Sequence, residues 1–309
     1  MLSVCKSTLR KLEQNTMTLK NFGELLKDTF NQWKDRSPFN GSIVIAYYTI
    51  FSLPGLLVII INIAGFFYDK KEITTQITSQ VQIVMGGDTA KDLESIITET
   101  TKKKESAISS ILGITTLLFG ATGVFYELQQ LLNIIWSVKP KPRRRQKIWV
   151  LLRDRLFSFG LILVVGFLLL VSLILSTALS ALSGWLSLHL SASFSLLFST
   201  LDLIISLGII TLLFAAIFKF LPDARIPWKD VWLGAAVTAV LFVIAKLALG
   251  FYFGHSNIAS TYGAAGSIIL IMLWVSYVGL ILLFGAELTH VYISKRGEKA
   301  EPTSIAVST

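Results

Sequence analysis

The run GAAGSIILIMLWVSYVGLILLFGAELTHVY, residues 263–292, decides the fold. It holds a single acid, Glu287, a single histidine, His290, and no lysine or arginine. A membrane-crossing helix needs about 20 mainly apolar residues, and this run exceeds that length. It does not alternate apolar and polar residues with period two, so it does not read as a barrel strand. Segments at roughly 42–68, 107–136, 157–182, 195–221 and 231–253 share its character. In lipid only helices and closed barrels satisfy their own backbone groups. The expected fold class is therefore an all-α integral membrane protein, a bundle of six transmembrane helices.

Composition agrees. Of 309 residues, 53% are hydrophobic and 15% charged, and the mean hydropathy is +0.67. Soluble domains carry about 25% charged residues, so much of this exterior must face lipid. Residues 1–40 contain no apolar run ahead of a small-residue cleavage site, and no secretory leader is expected there. Cys5 is the one cysteine, which excludes an internal disulfide. His189, His255 and His290 share no ligand spacing, and neither a metal nor another cofactor is expected.

Basic residues set the orientation. With the N-terminus inside, segments 1–41, 137–156, 219–230 and 293–309 are inner and hold 21 of the 28 Lys and Arg residues. The outer segments 69–106, 183–194 and 254–262 hold 6, all of them in 69–106. Both termini are expected in the cytoplasm.

The densest basic run is VKPKPRRRQK, residues 138–147. In a soluble protein it would suggest a nucleic-acid clamp. Between two membrane spans, Lys139, Lys141, Arg143, Arg144, Arg145 and Lys147 read as topogenic charge. They would meet anionic lipid head groups, at about 1 kcal/mol per residue near the surface. Nucleic-acid sites add stacking aromatics or a known module. Here only Trp149 lies near, so no nucleic acid is expected as a partner.

Three pieces lie outside the spans. Leu19, Phe22, Leu26, Phe30 and Trp33 recur at helical spacing and predict an amphipathic helix in 1–41. It either lies on the inner membrane surface or packs on the ends of the bundle. In 69–106, apolar Ile73, Ile77, Val81 and Val84, then Leu93, Ile96 and Ile97, predict two short helices broken at Gly86-Gly87. They would cap the outer face. The tail 293–309 is expected to be disordered.

Ionisable groups inside spans are functional candidates by default. Asp202 and Lys246 each fall roughly 10 Å below the outer ends of neighbouring spans, a depth that would let them pair. Glu127 and Glu287 lie toward the inner side, where Lys219, Arg225 or the arginines at 143–145 could reach them. Gln129, Gln130 and Asn133 add amides beside Glu127, ahead of Trp136 as an interfacial anchor. The candidate intramembrane polar site is thus Glu127, Asn133, Asp202, Lys246 and Glu287. The plain alternative for each is a structural ion pair or interhelical glue. Pro54 should kink the first span and free the carbonyl of Ile50, with Thr49 and Ser52 at hand to compensate. Small residues at Gly120-Ala121-Gly123, Gly234-Ala235-Ala236 and Gly285-Ala286 read as close helix contacts.

Soluble-enzyme signatures are missing. The sequence has no GxxxxGK[ST] or GxGxxG loop, no GxSxG elbow and no HExxH. Its cytoplasmic pieces are too short for a separate catalytic domain. No enzyme is expected, although motif absence leaves an intramembrane enzyme open.

Four stretches carry a resemblance: AYYTIFSLPGLL (46–57), GVFYELQQLLNIIWSV (123–138), LPDARIPWKDVWLGA (221–235) and YGAAGSIILIMLWVSYVGLILLFGAEL (262–288). In this order they resemble the YihY/BrkB family of bacterial inner-membrane proteins, over about residues 20–292. The stretch ending in GAEL is the most specific. Family members usually have Pro-Pro or Ala-Pro where this chain has Leu53-Pro54-Gly55. The resemblance implies six spans in the cytoplasmic membrane with both termini inside. Members have also been labelled ribonuclease BN. That activity is not expected here, because no acid–base pair or histidine constellation supports it. The expected role is a transporter-like or lipid-handling protein of the cell envelope. The competing role is an envelope scaffold in which 69–106 or the basic loop docks a protein partner.

Overall fold

The computed structural model describes residues 19–64, 69–102, 107–141, 192–255, 264–298, 301–303 and 306–308. Its helices are α1 (Leu19–Asp35), α2 (Pro38–Ala64), α3 (Lys70–Met85), α4 (Gly87–Lys102), α5 (Ala107–Ile135), α6 (Ala192–Phe220), α7 (Trp228–His255) and α8 (Ala264–Lys295). Five of the six expected spans are present as helices, α2, α5, α6, α7 and α8. The sixth, 157–182, lies outside the described residues. Among the described residues, Leu203–Phe220, Trp228–Phe253 and Ala265–Lys295 are long and apolar enough to cross a membrane.

These helices are not apolar on one face and polar on the other. Leu203, Ile204 and Ile244 are exposed, and Leu247 and Phe251 reach 69% and 70% exposure. A soluble protein would not leave so many large apolar side chains in water. The interior is apolar as well, with Leu132, Phe218, Val231, Leu283 and Ala286 in one core cluster. Burial of oil against oil supplies little drive in lipid, so close packing of small residues must hold the bundle together.

The tightest packing is reciprocal. On α7, Thr238 donates its hydroxyl to the Gly234 carbonyl at 2.6 Å; on α8, Thr289 does the same to Gly285 at 2.9 Å. Each threonine also covers the glycine of the other helix. A Cβ on Gly285 would overlap Thr238 Oγ1, and one on Gly234 would overlap Thr289 Oγ1. The α2–α5 contact follows the same rule, since a Cβ on Gly120 would sit 2.7 Å from the Ser52 amide nitrogen.

Around this frame, α1 packs its apolar face on α8, where Leu25 meets Leu288 and Val291. Phe30, also of the predicted apolar stripe, is left exposed. Asp69 caps α3 by accepting from the Lys71 amide at 2.8 Å. Gly86, at φ +89°, ends α3 and turns the chain into α4, as the Gly86-Gly87 break predicts. Ile73, Leu93 and Ile97 close the hairpin, whereas Ile96 is exposed. The hairpin sits at the end of the bundle marked by Phe253 and Leu270, with Val81 and Leu53 between them. α2 runs unbroken through Pro54. Thr49 and Ser52 donate to the carbonyls of Ile45 and Thr49, not to that of Ile50.

The tail departs from expectation. Instead of disorder, its described residues form β3 (Glu301–Pro302) and β4 (Ala306–Ser308). These pair antiparallel with β2 (Ala224–Arg225) and β1 (Val138–Pro140) respectively. The reason is that both loops end helices with unused backbone groups, which an added strand satisfies. Buried Ala306 packs with Val138, Ala224 and Trp136. A chain ending at Glu298 is expected to exchange amide hydrogens at 138–140 and 224–225 roughly tenfold faster, since local opening no longer breaks a ladder. Hydrogen exchange with mass spectrometry checks this.

Candidate functional site

The end of the bundle opposite the α3–α4 hairpin gathers the polar groups. Glu287 lies in the last turns of α8 and is 0% exposed. Its face of the helix differs from that of Gly285 and Thr289, which serve α7. The turn between α1 and α2 delivers its partner. Ser37, at φ +50°, reverses the chain there, and Arg36 places Nε 3.0 Å from Glu287 Oε2. Arg36 Nη1 donates to the carbonyl of Ile134 at the end of α5. One guanidinium therefore ties three elements together.

His290 stands one turn beyond Glu287, with Nδ1 3.5 Å from Oε1. The Trp136 ring meets the imidazole edge-on, with centroids 5.4 Å apart. Trp33, one turn before Arg36, meets Phe284 edge-on, and Phe284 is one turn before Glu287. Both carboxylate oxygens of Glu287, His290 Nδ1 and the indole nitrogens of Trp33 and Trp136 are buried without a hydrogen-bond partner among the described residues. Buried polar atoms are nearly always paired by hydrogen bonds, and this concentration in one place makes the group the candidate site. The Arg36 approach is close enough for an ion pair, yet its N–H is not aligned for a hydrogen bond.

A second set lies beside it. Asn133 donates to Asp223 Oδ2 at 2.9 Å and accepts from the Asp223 amide at 2.8 Å. Gln129 donates to the other carboxylate oxygen at 3.3 Å. The Asp223 carbonyl accepts from Thr303 of the tail at 2.9 Å. Unlike the Glu287 carboxylate, the Asp223 carboxylate is hydrogen-bonded at both oxygens, and the set reads as a clamp between α5, the α6–α7 junction and the tail. Asn133→Leu should cost about 1–3 kcal/mol, because it leaves Asp223 short of partners in a part-buried place. Thermal denaturation in detergent measures that loss.

The sequence-derived candidates thus divide. Glu287 and Asn133 come to the same end, joined through Arg36 and Ile134. Glu127 is half-buried on α5 and Lys246 half-buried on α7, and neither has an ion pair among the described residues. Asp202 lies in α6, but its side chain is outside those described, as are Arg143, Arg144, Arg145 and Lys147. Lys139 sits exposed in β1 and Lys141 follows it. Of the cations expected to reach Glu287, Lys219 donates to the Ile226 carbonyl and Arg225 is exposed in β2, while the arginines at 143–145 lie outside the described residues. Trp136, expected as an interfacial anchor, is 4% exposed inside the core. Arg36, His290 and Asp223 were missed. Only the spacing of His290 from Glu287 was a signal, since Arg36 and Asp223 meet their partners across long sequence separations. No group of His, Cys, Asp and Glu able to hold a metal occurs among the described residues.

The profile of the Virulence factor BrkB family matches residues 29–306. The chain belongs to that family. Its BrkB-type relatives include UPF0761 membrane proteins. The one from Tolumonas auensis is 31% identical over 191 residues, covering 60% of this chain and 58% of the relative. That from Saccharophagus degradans is 25% identical over 278 residues, covering 89% and 60%. That from Psychromonas ingrahamii is 29% identical over 255 residues, covering 79% of each. The chain thus spans about 60% of the first two relatives. No solved structure matches it. This BrkB-family chain is a membrane protein, and all of the Glu287 group falls within the matched region.

Proposed function

We propose that this chain is a transporter-like or lipid-handling bundle of the bacterial inner membrane, with six spans and both termini in the cytoplasm. The observation that carries the reading is the Glu287 group. A membrane helix does not keep a wholly buried carboxylate and its unpartnered polar neighbours for packing alone. The site would take the polar part of a small solute or lipid near the inner face.

Orientation rests on the distribution of Lys and Arg. The aromatic residues at the Glu287 end mark a membrane interface there. Exposed Phe220, Trp228 and Trp232 lie ring to ring, with Lys219 Nζ 6.0 Å from the Trp228 centroid. Such belts mark the level of lipid head groups. Lys139, Lys141 and Lys229 nearby would favour anionic lipids on that side.

Native mass spectrometry of the chain released from nanodiscs of total bacterial lipid tests the reading. A defined lipid or solute retained by the wild type and lost in Glu287→Gln is expected. Identical spectra for a folded Glu287→Gln variant and the wild type would contradict it.

A further inference from the structure

We propose that α1 is a gate over the Glu287 group. Docked on α8 it closes the site; lifted about the α1–α2 turn onto the membrane surface, it opens the site to a solute or lipid. The inference rests on the reading of that group as a binding site and adds how a ligand reaches it.

The seam between α1 and α8 carries the case. On its α8 side, both carboxylate oxygens of Glu287 and Nδ1 of His290 are buried without a hydrogen-bond partner among the described residues. On its α1 side the same holds for the indole nitrogen of Trp33, whose ring meets Phe284 at 6.0 Å, one turn before Glu287. A purely apolar seam gains nothing from opening. A seam that strands a donor on one side and acceptors on the other forgoes the bonds that water or a polar ligand supplies. Closure is therefore opposed where the ligand would bind. Arg36 supplies the opposite pull. Its Nε lies 3.0 Å from Glu287 Oε2, and its Nη1 donates to the Ile134 carbonyl. That guanidinium is the latch.

The helix is placed to move as a unit. Only Arg36 and Ser37 separate Asp35, the end of α1, from Pro38, the start of α2. Ser37 holds φ +50°, a left-handed conformation that is costly for a residue with a Cβ. The docked turn is therefore strained. Little else fastens the helix. Asp28 pairs with Lys295 at 2.6 Å, but the two side chains are 46% and 41% exposed, and exposed pairs add little. The remaining hold is the apolar patch of Leu25 with Leu288 and Val291. Lipid offers such side chains an equivalent contact. Phe30 stands 52% exposed beside Trp33, with ring centroids 5.8 Å apart, and Lys27 and Lys34 are exposed. Apolar side chains flanked by lysines suit a helix lying among lipid head groups, which gives the lifted helix a resting place. Lifting it leaves the Thr238–Gly234 and Thr289–Gly285 packing of α7 and α8 intact.

Double electron–electron resonance measures the motion. Nitroxides go on Gln32→Cys in α1 and Lys229→Cys in α7, both exposed positions, in the full chain with Cys5→Ser, in liposomes of total bacterial lipid. Two distances are expected, that of the docked helix and a longer one. Arg36→Gln removes the latch and should raise the share of the longer distance several-fold. Ser37→Pro should do the same without touching Arg36 or Glu287, because proline fixes φ at about −65° and the docked turn needs a positive φ. Size-exclusion profiles and helical circular dichroism establish that each variant is folded. A single docked distance in the wild type and in both folded variants would overturn the proposal. Failure here is separable from failure of the transporter-like reading. A longer distance with no species retained in native mass spectrometry would remove the cargo and leave the moving helix. A species retained through Glu287, with α1 docked in all three proteins, would remove the gate and leave the cargo.

Discussion

Gly285→Leu should abolish the folded bundle. The first carbon added would overlap Thr238 Oγ1, and would lie 2.9 Å from Thr238 Cβ and 3.1 Å from the ζ carbon of Phe218. None of these can move cheaply. Thr238 is pinned by its bond to Gly234, and Phe218 is 1% exposed in the main cluster. The helices must separate, and Thr289 then loses its place over Gly234. Overpacking alone costs about 1–3 kcal/mol and occasionally more, against a total stability of about 5–15 kcal/mol. The loss of contact along α7 and α8 comes on top. Gly208→Leu on α6 is the control, since a Cβ there meets nothing within 4 Å. The expected result is a monodisperse size-exclusion peak for Gly208→Leu and aggregation or absence for Gly285→Leu. Gly285→Ala should be intermediate, and Thr238→Ala in that background should recover part of the loss.

The second large effect belongs to Arg36→Leu. It removes the guanidinium placed 3.0 Å from a wholly buried carboxylate, and the Ile134 carbonyl loses its Arg36 donor in the same change. Breaking a buried pair from one side costs about 3–5 kcal/mol, because the other charge remains without compensation. Glu287→Gln should cost less, and the double variant Arg36→Leu/Glu287→Gln should recover most of the Arg36→Leu loss. A double-mutant cycle on unfolding midpoints isolates the coupling. Additive losses would mean that the two side chains do not act on each other.

The bundle was legible because a membrane span is a local property. Twenty apolar residues in a row announce themselves without reference to anything else, and so does the Gly86-Gly87 break. The small-residue clusters at 234–236 and 285–286 marked where α7 and α8 approach. The threonines that fill the two notches were not read, because a threonine in an apolar helix looks like any other weakly polar residue. Glu287 was visible as an acid in a span. Its partner was not, because Arg36 lies in the turn between α1 and α2, far from α8 in sequence, and nothing local binds position 36 to position 287. The guesses Lys219 and Arg225 failed for one reason: their own backbones form a tight junction that consumes or exposes them. The tail strands were hidden too, since two or three residues carry no periodicity, and their partners lie in loops far up the chain.

The Glu287 group is expected at the cytoplasmic end of a membrane-spanning bundle. Single cysteines placed in a Cys5→Ser background test it most directly, with a membrane-impermeant maleimide applied to intact and to permeabilised spheroplasts. Cysteines at Pro140 and Gly297, beside the group, should label only after permeabilisation, whereas one at Gly87 in the hairpin should label in intact spheroplasts. Labelling of the 297 position in intact spheroplasts, with protection at 87, would contradict the claim.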